Sequence, residues 1–182
     1  MGKISAGLLM YRRRKKTLEV FLIHPGGPFW SKKDLGAWSV PKGEYRADED
    51  PLSAAKREFT EETGLQPGKE FIDLTPAKQA GGKVVRAWAF EGDADPTAIT
   101  SNTFSMEWPP RSGQHQSFPE VDRAAWFPIE EATQRILKGQ VPLLVELQHL
   151  LTDRSTAAPH PTLSPLGRED EEGQDEQVGD GH

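Results

Sequence analysis

The 182-residue chain contains no cysteine, which excludes disulfides, thiolate metal centres and a cysteine nucleophile together. No run approaches the roughly 18 consecutive apolar residues a membrane span requires. The first residues carry neither the apolar stretch nor the small-residue cleavage site of a secretory leader. Gly2 follows the initial Met, but position 6 is Ala6 rather than Ser or Thr, which argues against myristoylation. The expectation is a cytoplasmic protein without membrane association. Charge imbalance is also scarce where it would matter. The net charge is −6, yet Arg154 to His182 holds seven acidic and two basic residues, so positions 1–153 are almost neutral. That balance argues against whole-protein attraction to nucleic acid, and nothing in the sequence identifies a protein partner.

What remains reads as one α/β domain over residues 1–153. A disordered acidic tail follows over 154–182, too poor in apolar residues to order itself. Ile4–Tyr11 and Leu18–His24 are short, apolar and strand-like, and the charged run Arg12–Lys16 between them reads as a hairpin turn. A short strand is expected at Trp38–Val40, and others at Lys83–Phe90 and Arg123–Phe127. Asp50 as N-cap, Pro51 at the first turn and Gly64 as terminator bracket a helix whose Leu52, Ala55 and Phe59 form one apolar stripe. Two more helices are expected, from about Pro128 to Leu137 and from near Pro142, the latter with a leucine stripe at 143, 144, 147, 150 and 151. From Gly92 to Pro119 the pattern fails, and a long loop with at most one strand is expected.

The bracketed helix carries the chemistry. Glu58, Glu61 and Glu62 sit at i, i+3 and i+4, so they share one face. At about 100° per residue that face borders the apolar stripe, where solvent is limited. Three crowded carboxylates repel one another unless a cation sits among them, and a hard divalent ion with oxygen ligands fits. A bare E-x-x-E-E is more often a solvated helix face, so the pattern decides nothing without its surroundings.

Those surroundings match the signature G-x5-E-x7-R-E-U-x-E-E-x-G-U, with U a bulky apolar residue, at every fixed position: Gly43, Glu49, Arg57, Glu58, Phe59, Glu61, Glu62, Gly64 and Leu65. Phe59 is a mild departure, since that place is more often aliphatic. The chain therefore resembles the Nudix hydrolases over about residues 3–150. The resemblance implies an α/β/α sandwich around a mixed β-sheet, with the signature forming a loop-helix-loop. It implies Glu58, Glu61 and Glu62 as metal-binding and catalytic carboxylates, Glu49 as a supporting metal acid, and Arg57 as the residue that orients a catalytic glutamate. The backbone carbonyl beside Gly43, at Lys42, is expected to complete the metal sphere. The implied cofactor is Mg²⁺, with Mn²⁺ as the substitute. The implied reaction is hydrolysis of a phosphoanhydride in a nucleoside diphosphate-linked compound.

Family members often recruit a further acid from a late loop. Glu120 is the candidate here, six residues before Trp126, with His115 and Glu107 as weaker rivals. Substrate contacts are expected from Lys42 as a phosphate-binding point charge, from Trp38 in the W-x-V-P-K-G run, and from Arg111 in the irregular loop. Trp30, Trp88 and Trp108 are candidates for stacking on a base, although a place in the core is the more ordinary one for each. The opening Ala6–Arg13, the Leu18–His24 strand and W-x-V-P-K-G look most like the diadenosine tetraphosphate hydrolase branch, which cuts asymmetrically to ATP and AMP. Nucleoside triphosphates are the alternative substrates. A non-catalytic nucleotide- or RNA-binding module is the alternative from another class.

Overall fold

The computed structural model describes residues 3–156, with side chains through Thr152. Strands β1 (Ile4–Arg14) and β2 (Thr17–Pro25) form an antiparallel hairpin. Its turn is only Lys15 and Lys16, both at positive φ (49° and 69°), as a two-residue hairpin connection demands. The arginines expected in that turn therefore lie in the strand. Arg12 contacts Glu19 at 2.7 Å and Asp93 at 2.6 Å and lies 4.1 Å over the Trp126 ring, so this arginine is tied into the fold while positions 13–16 stay exposed.

Burial along β1 is nearly continuous rather than alternating, the mark of a strand covered on both faces. Successive side chains still point to opposite faces. Ala6, Leu8 and Met10 join one core with Phe21, Ile23, Trp88 and Phe90, while Leu9, Tyr11, Val20 and Leu22 join the other. The first core is closed by α1 (Pro51–Thr63) through Ala54, Ala55 and Phe59. The second is closed by α2 (Ile129–Arg135) and α3 (Val141–Thr156), through Ile129, Ala132, Leu143, Leu144, Leu147 and Leu151. The result is the expected α/β/α sandwich.

Between the layers lies a mixed sheet. The short strands β3 (Lys42–Glu44), β4 (Ile72–Asp73) and β5 (Ala77–Lys78) accompany β6 (Val84–Glu91) and, after β7 (Thr103–Glu107) and β8 (His115–Pro119), β9 (Val121–Pro128). The order is β4-β6-β1-β2-β9, with β3 on β1 and β5 on β6. Among the described strands of this sheet only β1 and β6 run parallel. Such a pair needs a crossover connection, and α1 lies within it.

Two expectations need correction. Trp38–Val40 is not a strand, because its backbone divides its bonds between Ile23 of β2 and the end of α2, at Arg135 and Leu137. The strand lies just beyond, at β3. The stretch 92–119 is not a loop with one strand but contains a hairpin, β7 (Thr103–Glu107) against β8 (His115–Pro119). α3 continues to Thr156, and the rest of the expected tail lies outside the described residues. Among the described residues no helix is long and apolar enough to cross a membrane.

Candidate functional site

The rotation of α1 places the carboxylates. Asp50 caps it by accepting from the Ser53 amide at 3.0 Å, Pro51 opens it, and Gly64 ends it at φ 77°. Phe59 is fully buried in the first core and packs edge-on against Phe90. With that side chain driven inward, Glu58 and Glu62 are carried to the edge of the core beside β3. Glu62 Oε2 accepts from the Lys42 amide at 3.1 Å. The Glu58 carboxyl lies so close to Gly43 that a Cβ there would overlap it. The signature glycine is thus required by its neighbour across the strand-helix contact, not by a turn.

Arg57 sits at the centre of the charge network. Its guanidinium reaches Glu49 at 2.8 Å, Glu58 at 3.0 Å and Glu61 at 3.3 Å, and the Glu49 contact raises its pKa. Glu49, Glu58 and Glu61 therefore share one cation, and Glu62 is outside its reach. Burial is the main reason the Glu62 carboxyl is pushed up to about 8, with Glu58 and Glu120 adding repulsion. Burial likewise raises Glu58, with Glu61 next in effect. Lys42 is lowered by burial and only partly restored by Glu62.

Hard oxygen donors, desolvation and mutual repulsion together fit a divalent cation. The site is not closed around one: among the described residues no three acidic or histidine side chains stand close enough to hold a metal as placed. Glu61 is held instead by Arg57.

A cavity of about 470 Å³ opens beside Glu62 and Glu120. Lys42, Lys83 and Lys138 line it together with Trp30 and Gln79. Glu120 is set there by its backbone, which receives the Gly26 amide and donates to Asn102. Lys83, Lys138 and Gln79 were not singled out from sequence. They arrive from turns next to β5, β6 and α2, and no local spacing signals that the fold brings them together.

Other expected residues fall elsewhere. Trp38 is 3% exposed. Its indole donates to Asp34 at 2.7 Å and packs edge-on against Phe127 and His24, so it is a core residue and not a substrate contact. Trp88 is buried as well. Arg111 stands at the exposed tip between β7 and β8, at φ 61°, and does not line the cavity at Glu62. Glu107 caps that tip by accepting the Arg111 and Gly113 amides, which leaves it a structural role. His115 is its exposed partner across the hairpin. Fully buried His24 was also missed: its Nε2 donates to the Lys33 carbonyl at 2.6 Å and its Nδ1 lies 2.9 Å from Asp122, anchoring the loop that carries Trp30.

The arrangement makes a direct test of Gly43. In Gly43→Ala the new methyl group is expected to displace the flexible Glu58 side chain rather than the backbone. Hydrolytic rate should fall by about a hundredfold or more, on the scale of losing one positioned acid-base group, while the Tm changes little. A variant that unfolds, or one that keeps full activity, would contradict this placement of Glu58.

Comparison with known proteins agrees with this layout. A family model described as NUDIX domain matches residues 1–147. An RNA pyrophosphohydrolase of Thioalkalivibrio sulfidiphilus is 54% identical over 41 residues, which span 21% of this chain and only 23% of that relative. The NUDIX domain of Shewanella oneidensis NrtR, solved with ADP ribose, superposes with a TM-score of 0.55 at 16% identity, covering 86% of this chain and 90% of that one. A C. elegans Ap4A hydrolase, solved as a binary complex, gives 0.51 at 22% identity over 82% and 98%. At these identities the structures speak for the fold, and the family model for membership: the chain belongs to the Nudix family.

Proposed function

We propose that this chain is a Mg²⁺-dependent hydrolase that cleaves a phosphoanhydride in a nucleotide-linked compound, with a dinucleoside polyphosphate such as diadenosine tetraphosphate as the preferred substrate, giving ATP and AMP. Nudix hydrolases generally use divalent cations. The observation that carries the proposal is the pairing of half-buried carboxylates on α1 with an adjoining cavity lined by three lysines. An apolar ligand would leave those charges unpaired, whereas a polyphosphate answers the lysines and a cation answers the carboxylates.

In this reading Glu58, Glu61 and Glu62 hold the cation, with Glu49 and Glu120 nearby and the Lys42 carbonyl beside Gly43 as a further donor. Bound there, the ion would neutralise phosphate charge and lower the pKa of the attacking water. Within the chain, a carboxylate of α1 accepts the water proton. Arg57 keeps Glu58 and Glu61 oriented, and Lys42, Lys83 and Lys138 bind the phosphates. The short match to an RNA pyrophosphohydrolase supports a second substrate, the 5′ polyphosphate end of RNA.

The test is product analysis across diadenosine tetraphosphate, nucleoside triphosphates, ADP-ribose and 5′-triphosphorylated RNA, with Mg²⁺ or Mn²⁺, for wild type and Glu61→Gln. Cation-dependent cleavage lost in the variant is the expected result, and the fastest substrate identifies the branch. Absence of turnover on the whole panel would turn the reading toward a nucleotide-binding module.

A further inference from the structure

Pro25 ends β2 and has no amide to carry the ladder with β9 any further. The register slips at this point: His24 faces Arg123 but Pro25 faces Val121, so Asp122 is an extra residue with no partner opposite. Such a bulge re-aims the side chain it carries. Here Asp122 reaches His24, with Oδ1 2.9 Å from the imidazole Nδ1. The other ring nitrogen, Nε2, donates to the Lys33 carbonyl at 2.6 Å. Where the backbone ladder stops, one side chain makes two ties in its place.

The two segments joined in this way both border the cavity at Glu62. Glu120 stands two residues before Asp122; its carbonyl accepts the Gly26 amide at 3.0 Å and its amide donates to the Asn102 carbonyl at 2.8 Å. Asn102 in turn donates its amide to the Glu61 carbonyl at 3.2 Å, so a short run of bonds joins α1 to Glu120 and to the loop after β2. The approach is tight, since a Cβ on Gly26 would overlap the Pro119 carbonyl. Residues 26–37 form no strand or helix of their own. Trp30, which lines the cavity, is bonded there to Gly27 on one side and to Lys33 on the other.

His24 is fully buried and packs edge-on against Trp38 at 5.2 Å. An apolar side chain would fill that space without the cost of burying an imidazole. Both ring nitrogens are instead spent on irregular segments beside the site. Arg123 lies farther from Asp122, at 3.9 Å, so His24 is the closer partner. We propose that His24 and Asp122 are a positioning pair: by fastening the loop to the bulge they hold Glu120 at its place opposite Glu62 and Trp30 on the cavity wall. Neither member of the pair lines the cavity, so both act through the residues they place. The effect on turnover rests on the hydrolase reading, whereas the tie between the two segments does not.

Asp122→Ala removes the pair at its 31% exposed end, and Asp122→Asn keeps an amide that bonds Nδ1. Amide hydrogen exchange of the full chain without substrate reads the tie directly. In Asp122→Ala the 26–37 loop and the 118–122 segment should both exchange about tenfold faster, the scale of one lost hydrogen bond to a charged group. Exchange in α3 should be unchanged, and Asp122→Asn should restore most of the protection. In steady-state hydrolysis kcat of Asp122→Ala should fall about tenfold to a hundredfold, as a displaced reacting geometry costs. KM should stay nearly level, because Lys42, Lys83 and Lys138 stand outside both segments. Faster exchange confined to 118–122, or spread evenly into α3, would overturn the pair, as would wild-type kcat in Asp122→Ala. Loosening of both segments that Asn reverses, in a protein that turns over no phosphoanhydride, would sink the hydrolase reading and leave the tie standing.

Discussion

Glu58→Gln is expected to reduce cation-dependent hydrolysis by about a thousandfold, with the fold retained. General acid-base catalysis contributes roughly 10²–10⁴ in rate, and this carboxylate combines that prospect with a position against Gly43 and Arg57. Burial and the charge of Glu61 both raise its pKa, which brings a carboxylate closer to the range where it accepts a proton efficiently near neutral pH. Glutamine keeps the shape and the acceptor toward Arg57 but can neither take the proton nor supply a full charge to a cation. Steady-state rates with a saturating substrate, alongside a Tm measurement, check both halves. A loss below tenfold would move the catalytic burden to Glu61 or Glu120. A fall in Tm equal to that of a core mutation would mean that the carboxylate is structural.

The parts of this site that were legible in sequence are the local ones. Asp50, Pro51 and Gly64 bracket α1 by capping chemistry that acts within a turn, and the i, i+3, i+4 spacing puts Glu58, Glu61 and Glu62 together whatever else the chain does. The α/β/α sandwich came through the resemblance that the signature carries, and the leucine stripe of α3 marked one of its helical layers directly. What failed was non-local. Trp38 shares a run with Lys42, yet its backbone is bonded beside the end of α2, at Arg135 and Leu137, while Ser39 next to it is bonded to Ile23 of β2, and the indole turns into the second core. Lys83 and Lys138 are 55 positions apart, and only the packing of the turn before α3 against the β5–β6 connection makes them neighbours of one cavity. The hairpin from 103 to 119 was hidden because it buries only one sparse face, at Phe104, Met106 and Phe118, so its alternation was too brief to separate from loop composition.

Glu62 supplies the other large effect, on stability rather than rate. Its carboxyl is raised from 4.5 to about 8 in the fold, mainly by burial. An acid whose folded pKa exceeds its unfolded one contributes stability that is complete below the unfolded value and is lost as pH rises through the folded value. The metal-free protein should therefore weaken steadily between about pH 4.5 and 8, and Glu58 acts in the same direction. The lowered groups Asp34, Asp50, Asp93 and Asp95 have the opposite sign, but they titrate below their ordinary 3.8 and leave this window untouched. At about 1.4 kcal/mol for each tenfold change in proton affinity, the loss is on the order of a few kcal/mol. For a domain of this size that lowers Tm by roughly 5–10 °C. Thermal melts in EDTA from pH 5 to 9 should show this slope, and Glu62→Gln should flatten it, matching wild type at pH 5 and exceeding it at pH 9. Adding Mg²⁺ should stabilise wild type most at high pH, where the ionised carboxylate is otherwise uncompensated, and should do less for the variant. A wild-type Tm that is level across the range, or a variant with the same slope, would place Glu62 in contact with solvent and remove the electrostatic demand for a cation at that position.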